Sequence, residues 1–517
     1  MQLTALVSSS LLAFAVPPGE HRPQHAHLWV FFDDRPAQRS PFADAFVTPR
    51  ALERRERRER RMGSPAVPRD HDRPVDAGCV AAVTALGGTV RLESRWLNAV
   101  SVAIDPAQRA ALESLPFVRH VAPVRSARRG LPPTERATGG VADIAYGASY
   151  DQIAQADLLA LHARDFRGAG IVIGVLDTGF NRVHEAFHSD EHPLEVIAEW
   201  DFINNDSNTG IERGDEWFQH RHGTWTLGVL AAYLPGQLVG AAYEASYVLA
   251  KTEVVGSETK IEEDYYVAGL EFIEAQGADL ATSSLGYNDW YDPEDFDGAT
   301  AVTTIAVNIA TSLGLVCVTS GGNGGHDDDP STHHLGAPAD AFDVVACGAV
   351  DAAGDIADFS SDGPTADGRV KPELLARGVE TATIHSTDPT GLSSVNGTSF
   401  SAPIIAGAAA CILQARPEFR VGALRGALFA TATDLVITGM PDPLFIRGYG
   451  IVQADAAAGV GRSIGDINLD ASVDSADLAI LLGAWGTCSD CAACPSDLNG
   501  DCQIDALDLS VLLGAWS

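Results

Sequence analysis

Three far-apart side chains, Asp177, His222 and Ser399, have the types needed to make a hydroxyl group nucleophilic. A serine hydroxyl attacks a carbonyl carbon well only when a base takes its proton as it attacks. An imidazole can be that base, and a carboxylate can orient the imidazole and stabilise its charged form. Taken singly, Asp177 could be a strand-end turn, and His222 and Ser399 could be helix caps. The order acid, base, serine is nevertheless one in which such triads occur, so the combination favours nucleophilic catalysis.

The residues around each side chain predict where it lies in the fold. Asp177 ends the apolar strand "IVIGVLD", His222 lies in "HRHGTWTLGVLAAY" at the start of a helix, and Ser399 follows "NGT" where another helix begins. His220 is a rival base, but only His222 is followed by Gly-Thr. We therefore expect His222 to be the base. Capping of the helix is expected as a secondary role of Ser399.

The elements that must position these side chains run from about residue 148 to 460. Short β-branched runs that end in turn residues, such as "GLVCVTSGGNGG", alternate there with helical stretches such as "EDYYVAGLEFIEAQG". This alternation predicts an α/β fold, a parallel sheet flanked on both faces by helices. Ligands of such sheets bind outside the carboxyl ends of the strands, which is where Asp177 is expected.

Three sequence blocks, "VLDTG", "HGT" and "GTSFSAP", match in order and spacing those of the subtilisin-like serine protease family, which residues 148–460 resemble. The resemblance implies an endopeptidase that acts on proteins or peptides through an acyl-enzyme. Asp177, His222 and Ser399 would be its catalytic triad, with no cofactor needed for the chemistry. The family usually has a second histidine directly after "HGT", and Trp225 replaces it here, a change expected to affect packing or substrate shape.

The same resemblance implies two further groups of site residues. "TSGGNGG" resembles the family's Gly-Asn loop, so Asn323 and the Ser399 backbone N–H would donate to the oxyanion. The alternative for Asn323 is a turn residue with positive φ. "SSLGYND" supplies Ser284, Leu285 and Gly286, which match the strand that pairs with an extended substrate. The alternative there is a plain strand end.

The segment before the catalytic blocks reads as a leader, a small domain and a linker. Residues 1–15 predict a signal peptide with an A-x-A-like end, although no Lys or Arg precedes the apolar stretch. Residues 27–126 predict an α+β unit that resembles the family's inhibitory pro-domain, which would block the cleft until it is cut within the linker 127–147. An ordinary accessory domain is the alternative. Residues 54–61, "RRERRERR", predict an exposed helix or else a dibasic processing site.

Residues 465–517 contain an internal repeat that places oxygen-bearing side chains at the spacing of a Ca²⁺-binding loop. The predicted ligands are Asp466, Asn468, Asp470, Asp474 and Asp477 in the first loop, and Asp497, Asn499, Asp501, Asp505 and Asp508 in the second. Position 6 is Ala471 or Cys502 instead of Gly, and position 12 is Asp instead of Glu. The pairing resembles dockerin modules, which implies a cohesin-like docking partner. A solvated repeat without metal is the alternative.

The eight cysteines divide into two groups. In a secreted chain, Cys488, Cys491, Cys494 and Cys502 favour disulfides in one of three connectivities, with zinc or an iron–sulfur cluster as alternatives. The remaining four are expected to be buried thiols: Cys79, Cys317, Cys347 and Cys411. Asp327 to Asp329 and His333-His334 are expected to form a solvated loop, with a cation site as the alternative.

The net charge of −34 argues against nucleic-acid binding, which needs a basic surface. No apolar run after the leader is long enough to predict a transmembrane anchor. The whole pattern predicts a secreted, extracellular or periplasmic, serine endopeptidase made as a precursor, with a calcium-binding docking tail. The alternative is a catalytically inactive, calcium-dependent scaffold or binding protein that retains a protease shell.

Overall fold

The structure of the protein is a computed structural model that describes residues 25–33, 47–59, 69–124, 146–255, 262–288, 290–459, 465, 467, 473–488, 494–499 and 501–516. The predicted signal peptide and nearly all of the predicted linker lie outside these ranges. Three predicted ligands of the first calcium loop also lie outside them, namely Asp466, Asn468 and Asp470. So does Cys491.

The N-terminal unit is a four-stranded antiparallel sheet with helices, in the order β2-β3-β1-β4. Its strands are β1 (Ala26–Phe32), β2 (Thr89–Ser94), β3 (Ala99–Ile104) and β4 (Val118–Pro123). Its helices are α1 (Pro49–Glu59), α2 (Ala77–Ala85) and α3 (Arg109–Glu113), with 3-10 turns at Arg69–Asp72 and Pro106–Gln108. The predicted α+β character of residues 27–126 agrees with these elements.

Strand β1 is buried on both faces, because the unit lies against a second layer. Side chains alternate across a strand, so Leu28 and Val30 point into the unit's own core, which also contains Val102. Trp29 and Phe31 point the other way and belong to a separate core cluster. That cluster includes residues of the neighbouring α/β domain, so the two units share one apolar interface.

The prediction that residues 54–61 form an exposed helix is wrong in one respect. Helix α1 forms, but Arg54 and Arg55 are only 2% and 5% exposed. Both guanidinium groups pair with the buried carboxylate of Glu274, and Arg55 also pairs with Asp72 at 2.6 Å. The charged run therefore supplies buried interface residues at Arg54 and Arg55.

The second and larger domain is built on a seven-stranded sheet in the order β13-β12-β11-β10-β5-β9-β6, in which all pairings are parallel. Its strands are β5 (Val172–Asp177), β6 (Glu195–Asp201), β9 (Ser246–Lys251), β10 (Leu280–Ser283), β11 (Val316–Ser320), β12 (Val345–Val350) and β13 (Leu374–Arg377). Two small antiparallel pairs accompany it, β7 (Tyr233–Leu234) with β8 (Leu238–Val239), and β14 (Thr381–Ile384) with β15 (Leu392–Val395).

Helices cover both faces of this sheet, which confirms the predicted α/β fold. They are α4 (Tyr150–Gln155), α5 (Leu159–Ala163), α6 (Arg221–Ala231), α7 (Glu262–Ala275), α8 (Val302–Ser312), α9 (Thr398–Ala415), α10 (Val421–Ala430), α11 (Thr433–Thr438) and α12 (Ala454–Ala458), with 3-10 turns at Glu185–Phe187 and Pro293–Asp295. The first core cluster packs α6 and α9 on one face. The second packs α7 and α8 on the other, next to the N-terminal unit.

Helix α9 is the one helix in the described ranges that is long and apolar enough to cross a membrane. Of its apolar window, 89% is buried inside the protein, the environment of a core helix. The close packing around it depends on small side chains. A Cβ added at Gly407 would lie 2.4 Å from the Cβ of Ala241, so only glycine fits at this crossing.

The C-terminal module contains two short helices and a small β pair. They are α13 (Ser475–Gly483), β16 (Gly486–Thr487), β17 (Gln503–Ile504) and α14 (Ala506–Gly514). The two helices share a small apolar core that is centred on Val473, Leu481, Ile504 and Leu512. This core is made of equivalent positions of the two repeats, in agreement with the predicted internal symmetry.

The cysteine predictions are largely confirmed. Cys488 and Cys494 form a disulfide, and Cys502 is also disulfide-bonded. The predicted buried thiols are free, and Cys317, Cys347 and Cys411 are buried. Cys79 is only half-buried, because α2 lies at the surface of the N-terminal unit.

Candidate active site

The predicted site residues follow the carboxyl ends of three neighbouring strands. Strand β10 pairs with β5 on one side and with β11 on the other, so their ends lie at one edge of the sheet. Asp177 ends β5, Ser284 follows β10, and the loop with Asn323 follows β11. Helices α6 and α9, which begin near His222 and Ser399, pack against each other above this edge.

Asp177 and His222 form the hydrogen bond expected of an acid–base pair. The distance from His222 Nδ1 to Asp177 Oδ1 is 2.7 Å, and Asp177 is fully buried. An ionised carboxylate only accepts hydrogen bonds, so Nδ1 carries the proton and Nε2 is left as the basic nitrogen. Thr226 Oγ1 donates to Asp177 Oδ2 at 3.1 Å, and the Thr178 N–H donates to Oδ1 at 2.7 Å, which together hold the carboxylate in place.

The glycine after His222 is required by the approach of α6 to the strand end. A Cβ added at Gly223 would lie 2.2 Å from the carbonyl oxygen of Gly179 and 3.1 Å from the Cβ of Asp177. The Gly223 N–H also donates to the Thr178 hydroxyl oxygen at 3.1 Å. Any side chain at this position would push the imidazole away from its carboxylate.

The other two residues singled out near His222 have structural positions. His220 is turned toward the carbonyl oxygen of Ser386, 3.3 Å from its Nε2, and burial lowers its pKa. Trp225 is fully buried, and its ring lies 6.3 Å from that of Phe400 with an edge-on geometry. The replacement of histidine by Trp225 therefore changes the packing between α6 and α9.

Ser399 is the second residue of α9 and is 7% exposed. Its backbone N–H lies in the first turn of the helix, where N–H groups have no intrahelical acceptor. Its hydroxyl donates to the carbonyl oxygen of Ser284 at the long distance of 3.4 Å. In the described ranges this hydroxyl forms no hydrogen bond with His222, whose Nδ1 binds Asp177. The expected capping role of Ser399 is wrong, since the N-cap residue is Gly397 and the serine hydroxyl bonds elsewhere.

Gly397 makes the turn that places the start of α9 at the site. Its φ of +145° is a conformation that L side chains rarely adopt. The ring of Phe400, next to Ser399, lies 5.8 Å from the His222 ring. The structure therefore brings the carboxylate, the imidazole and the serine to one edge of the sheet.

Asn323 is exposed and lies beside the start of α9. Its Oδ1 accepts from the Thr398 N–H at 2.9 Å and from the Thr398 hydroxyl at 3.0 Å, which fixes the orientation of the amide. A Cβ added at Gly397 would lie 3.7 Å from Asn323 Nδ2, so the amide donor faces the helix start. The alternative of positive φ is wrong, because among the described residues of this turn Gly322 has positive φ and Asn323 does not.

The predicted substrate strand continues past the end of β10. Ser284 and Leu285 are buried and Gly286 is exposed. Tyr287 then pairs with Ala337 by two hydrogen bonds of 2.9 Å. Within the described ranges the N–H and C=O of Gly286 form no hydrogen bond, so this edge can accept an extended peptide.

The contacts that support these groups could not be predicted from the sequence. Thr226 holds the carboxylate, Thr398 holds the amide of Asn323, and Ser284 Oγ donates to the carbonyl oxygen of Ser399 at 2.7 Å. Each is a common residue type, and the sequence alone does not show which way its side chain points. Only the spacing of Thr226, one turn after His222, could have indicated the first of them.

The second predicted calcium loop has the backbone shape that such a loop needs. Cys502 occupies loop position 6 with a φ of +68°, the left-handed conformation for which glycine is usual at this position. Asp497 accepts from the N–H groups of Asp501 and Cys502, and Asp508 is fully buried. Asp505 caps α14 through its side chain. The oxygen donors present fit a hard cation such as Ca²⁺.

Position 12 of each repeat also stabilises its loop directly. Asp508 accepts from the N–H groups of Leu498 and Asp505 at 2.7 and 2.9 Å. In the first repeat, Asp477 is fully buried and accepts from the N–H of Asp474 at 2.9 Å, while Asp474 caps α13. Asp474 and Asp477 of the first loop thus occupy the same positions as Asp505 and Asp508 of the second.

The solvated loop predicted near residue 327 is partly confirmed. Asp327, Asp328 and Asp329 are exposed, whereas the His334 Nδ1 binds the buried carboxylate of Asp362 at 2.7 Å. None of these belongs to a group of three metal-ligating His, Cys, Asp or Glu side chains in the part of the chain that is described.

One such acidic group is found elsewhere, at Asp201, Asp206 and Glu212, with ligand atoms within 4.8 Å. The ammonium of Lys251 lies 2.7 Å from Asp201 and already compensates part of its negative charge.

Comparisons with known proteins agree with this geometry. The model of the Subtilase family matches residues 168–450, and that of the peptidase S8 propeptide domain of Bacteroidota matches residues 27–137. The chain is 32% identical to subtilisin DY of Bacillus licheniformis over 301 residues, 58% of this chain and 94% of the relative. It is 29% identical to subtilisin E of Bacillus subtilis (strain 168) over 378 residues, 73% of this chain and 84% of the relative.

Among solved structures, the chain is similar to the crystal structure of fervidolysin from Fervidobacterium pennivorans, described as a keratinolytic enzyme related to subtilisin. The TM-score is 0.58 at 21% identity, over 85% of this chain. The match spans 61% of the length of fervidolysin. Because the identity is low, this likeness shows the fold alone.

Proposed function

Because the chain belongs to the Subtilase family of subtilisin-like serine proteases, we propose that it is a secreted endopeptidase that cleaves proteins through Ser399, His222 and Asp177. The observation that carries the proposal is the 2.7 Å hydrogen bond between a buried Asp177 and His222, at the edge where α9 presents Ser399. The alternative, an inactive scaffold, would have no reason to keep this pair intact.

The proposed reaction begins when the hydroxyl of Ser399 turns from the Ser284 carbonyl oxygen toward His222. The weak 3.4 Å hydrogen bond to that carbonyl makes the rotation inexpensive, and catalytic hydrogen bonds often tighten only when substrate is bound. His222 Nε2 takes the hydroxyl proton as Oγ attacks the peptide carbonyl carbon. The imidazolium is stabilised by Asp177, which does not itself take the proton.

Collapse of the tetrahedral intermediate completes acylation. The C–N bond breaks as His222 returns its proton to the leaving amine, and the acyl group stays on Ser399 as an ester. Water, activated by the same imidazole, then attacks the ester, and Ser399 regains its proton as the acid product leaves. No metal or organic cofactor is needed for these steps.

Two donors are proposed for the oxyanion. They are Asn323 Nδ2, whose orientation is fixed by Thr398, and the N–H of Ser399, which has no intrahelical acceptor. Removing one such donor costs roughly 10²–10³ in turnover.

The exposed edge at Gly286 is proposed to bind the substrate backbone as an added strand. Such binding needs an extended peptide, so unfolded proteins and loops are the favoured substrates. It would hold the scissile carbonyl between Ser399 and Asn323.

The N-terminal propeptide domain makes the chain a precursor. Its sheet packs against α7 and α8, and its Arg54 and Arg55 pair with Glu274 of the catalytic domain. We propose that it assists folding, inhibits the protease and is removed by a cut in the linker 127–147, after a signal peptide at residues 1–15 has directed secretion.

The direct test is hydrolysis of an unfolded protein such as reduced casein by the processed chain. Wild type should cleave it, Ser399→Ala should not, and Asp177→Asn should be slower by roughly 10⁴ as the imidazole loses its orientation. Folded, loop-poor substrates should be cleaved more slowly. Absence of cleavage by processed wild type would favour the inactive scaffold.

The C-terminal module is proposed to bind Ca²⁺ and to dock the protease on a cohesin-like partner. Asp497, Asn499, Asp501 and Asp505 would hold the ion in the second loop, with Asp508 holding the loop closed and available as the position-12 ligand. The equivalent residues would do the same in the first loop. Bound Ca²⁺ would neutralise the clustered carboxylates and fix the two helices.

The calcium proposal is tested by titration of the chain with Ca²⁺ while the fluorescence of Trp485 and Trp516 is followed. Both indoles are half exposed and adjoin the helices that the ion would stabilise. Asp501→Ala should weaken the response, and the exposed Asp328→Ala of the catalytic domain should leave it unchanged. No response at millimolar Ca²⁺ would exclude the metal.

A further inference from the structure

A short segment, residues 334–337, lies between the two parts of the site that handle the scissile bond. On one side Ala337 pairs with Tyr287, directly after Gly286 of the substrate strand. On the other side the Gly336 N–H donates to the carbonyl oxygen of Gly321, where the loop with Asn323 begins, at 3.1 Å. We call residues 334–337 the floor segment.

The floor segment also makes tight contact with the glycines of the Asn323 loop. A Cβ added at Gly324 would lie 3.2 Å from both the Cβ and the carbonyl oxygen of His334. A Cβ added at Gly322 would lie 3.4 Å from the same carbonyl oxygen. A shift of the floor segment by a few tenths of an ångström would therefore be transmitted to Asn323, because packed groups move together.

One buried carboxylate holds the floor segment in place. Asp362 is fully buried, its Oδ1 accepts from His334 Nδ1 at 2.7 Å, and its Oδ2 accepts from the Asp327 N–H at 3.1 Å. The His334 N–H donates to the backbone carbonyl oxygen of Asp362 at 3.1 Å. Asp362 thus ties the floor segment to the residues that follow the Asn323 loop.

The residues before Asp362 hold the Asn323 loop itself. Ser361 accepts from the Gly324 N–H through its hydroxyl at 2.9 Å and donates its own N–H to the Gly322 carbonyl oxygen at 3.1 Å. The Gly325 N–H donates to the carbonyl oxygen of Phe359 at 3.0 Å. The loop, the floor segment and residues 359–362 therefore form one hydrogen-bonded unit.

We propose that His334, through its hydrogen bond to Asp362, is a positioning residue that sets the place of Asn323 for oxyanion binding. His334 does not touch the reacting atoms. Its side chain is 34% exposed and contributes Nδ1–H as the donor, since an ionised carboxylate only accepts. Without this donor the Asp362 carboxylate would be buried with one partner fewer, and residues 334–336 would lose their only side-chain tie to residue 362 within the described ranges.

The inference rests on the proposed function, and a double-mutant cycle tests it on the processed full-length chain with a chromogenic peptide substrate. His334→Ala should lower kcat roughly tenfold, a part of the 10²–10³ that a lost oxyanion donor costs, with KM changed less than about twofold. In an Asn323→Ala background the same substitution should cost less than about twofold, because the group it positions is gone. An equal loss in both backgrounds, or no loss in the first, would overturn the proposal.

Rescue by a matched side chain separates the hydrogen bond from the bulk of the residue. His334→Asn places an amide donor near the Nδ1 position and should restore kcat to within about threefold of wild type, a weaker effect than loss of the oxyanion donor. His334→Gln places its amide near Nε2 and should behave like His334→Ala, and it replaces that variant if the alanine chain does not mature. An Asn variant as impaired as the Gln variant would overturn the proposal.

The exposed His188→Ala, which removes a histidine bonded to the Arg182 carbonyl oxygen, is the control and should leave kcat unchanged. Wild-type hydrolysis, measured alongside, tests the proposed function, whereas His334 is judged from ratios between variants. The role of His334 can therefore fail while the proposed function stands, whereas a processed wild type without activity would overturn both.

Discussion

Glu274 contributes a buried ionic contact between the propeptide and the catalytic domain, and replacing it should weaken propeptide binding. This carboxylate is fully buried and is shared by the guanidinium groups of Arg54 and Arg55, which are almost as buried. The Arg55 Nε donates to it at 2.8 Å. Glu274→Gln keeps the size of the side chain and removes the charge, so two buried cations lose their shared anion.

The size of the effect follows from the burial of the pair. Removing one partner of a buried ion pair typically costs about 3–5 kcal/mol, because the remaining charge is left uncompensated. Arg55 keeps its 2.6 Å contact with Asp72, so the lower end of that range is expected. About 3 kcal/mol corresponds to a roughly 10²-fold weaker complex between the cleaved propeptide and the enzyme.

The assay is the lag before peptide hydrolysis begins after the chain has cut itself. If the propeptide inhibits as proposed, wild type should show a lag that shortens on dilution, and Glu274→Gln should show almost none. Glu418→Gln is the matched control, since its pair with Arg416 is partly exposed and such pairs contribute about 0–1 kcal/mol. A Glu274→Gln chain with the lag of wild type would show that this ion pair does not contribute to propeptide binding.

Three further predictions concern the same assays and the stability of the fold. Burial in the propeptide interface raises the pKa of Asp264 to about 7, so the complex binds a proton that the free enzyme gives up. Propeptide binding should therefore weaken as pH rises through about 7, and the lag should be shorter at pH 8 than at pH 5.5. Asp264→Asn should flatten this dependence, whereas a lag that lengthens with pH would contradict the prediction. Asn323→Ala should lower kcat roughly 10²–10³-fold with little change in KM, and an unchanged kcat would exclude it as an oxyanion donor. Gly407→Ala, whose Cβ would lie 2.4 Å from that of Ala241, should lower the free energy of unfolding by about 1–3 kcal/mol in thermal unfolding, while Gly422→Ala, with nothing within 4 Å, should not; equal melting temperatures would contradict the packing argument.

The fold and the position of the triad could be predicted because their signals are local. Strands buried on both faces appear as short apolar runs, and their carboxyl ends carry turn residues, so Asp177 was expected at the sheet edge where β5 ends. His222 is followed by Gly-Thr at the start of one helix, and Ser399 follows Asn-Gly-Thr where another helix begins. Each of these features depends on residues only a few positions apart.

The parts that could not be predicted depend on partners far along the chain. Arg54 and Arg55 lie in a run of alternating charge that is typical of a solvated helix, and their partner Glu274 is 220 positions from Arg54. Nothing local distinguishes such a helix from an exposed one. The orientation of the Ser399 hydroxyl toward Ser284 likewise depends on how the start of α9 packs against the end of β10.

Backbone conformation is the other feature that the sequence does not settle. Positive φ is the alternative for Asn323, but the structure has it at Gly322, where no side chain opposes it. In the second predicted calcium loop, positive φ occurs at Cys502, a residue type that does not indicate it. The Asp497 carboxylate, which accepts the Cys502 N–H at 2.8 Å, helps to hold this backbone where glycine is usual.

The central claim, that Ser399 is a nucleophile activated by His222, is tested most directly by labelling the processed chain with a fluorophosphonate and mapping the adduct by mass spectrometry. The label should be found on the peptide that contains Ser399, and His222→Ala should slow its formation by several orders of magnitude. A processed wild-type chain that takes up no label, or takes it up on another serine, would contradict the account.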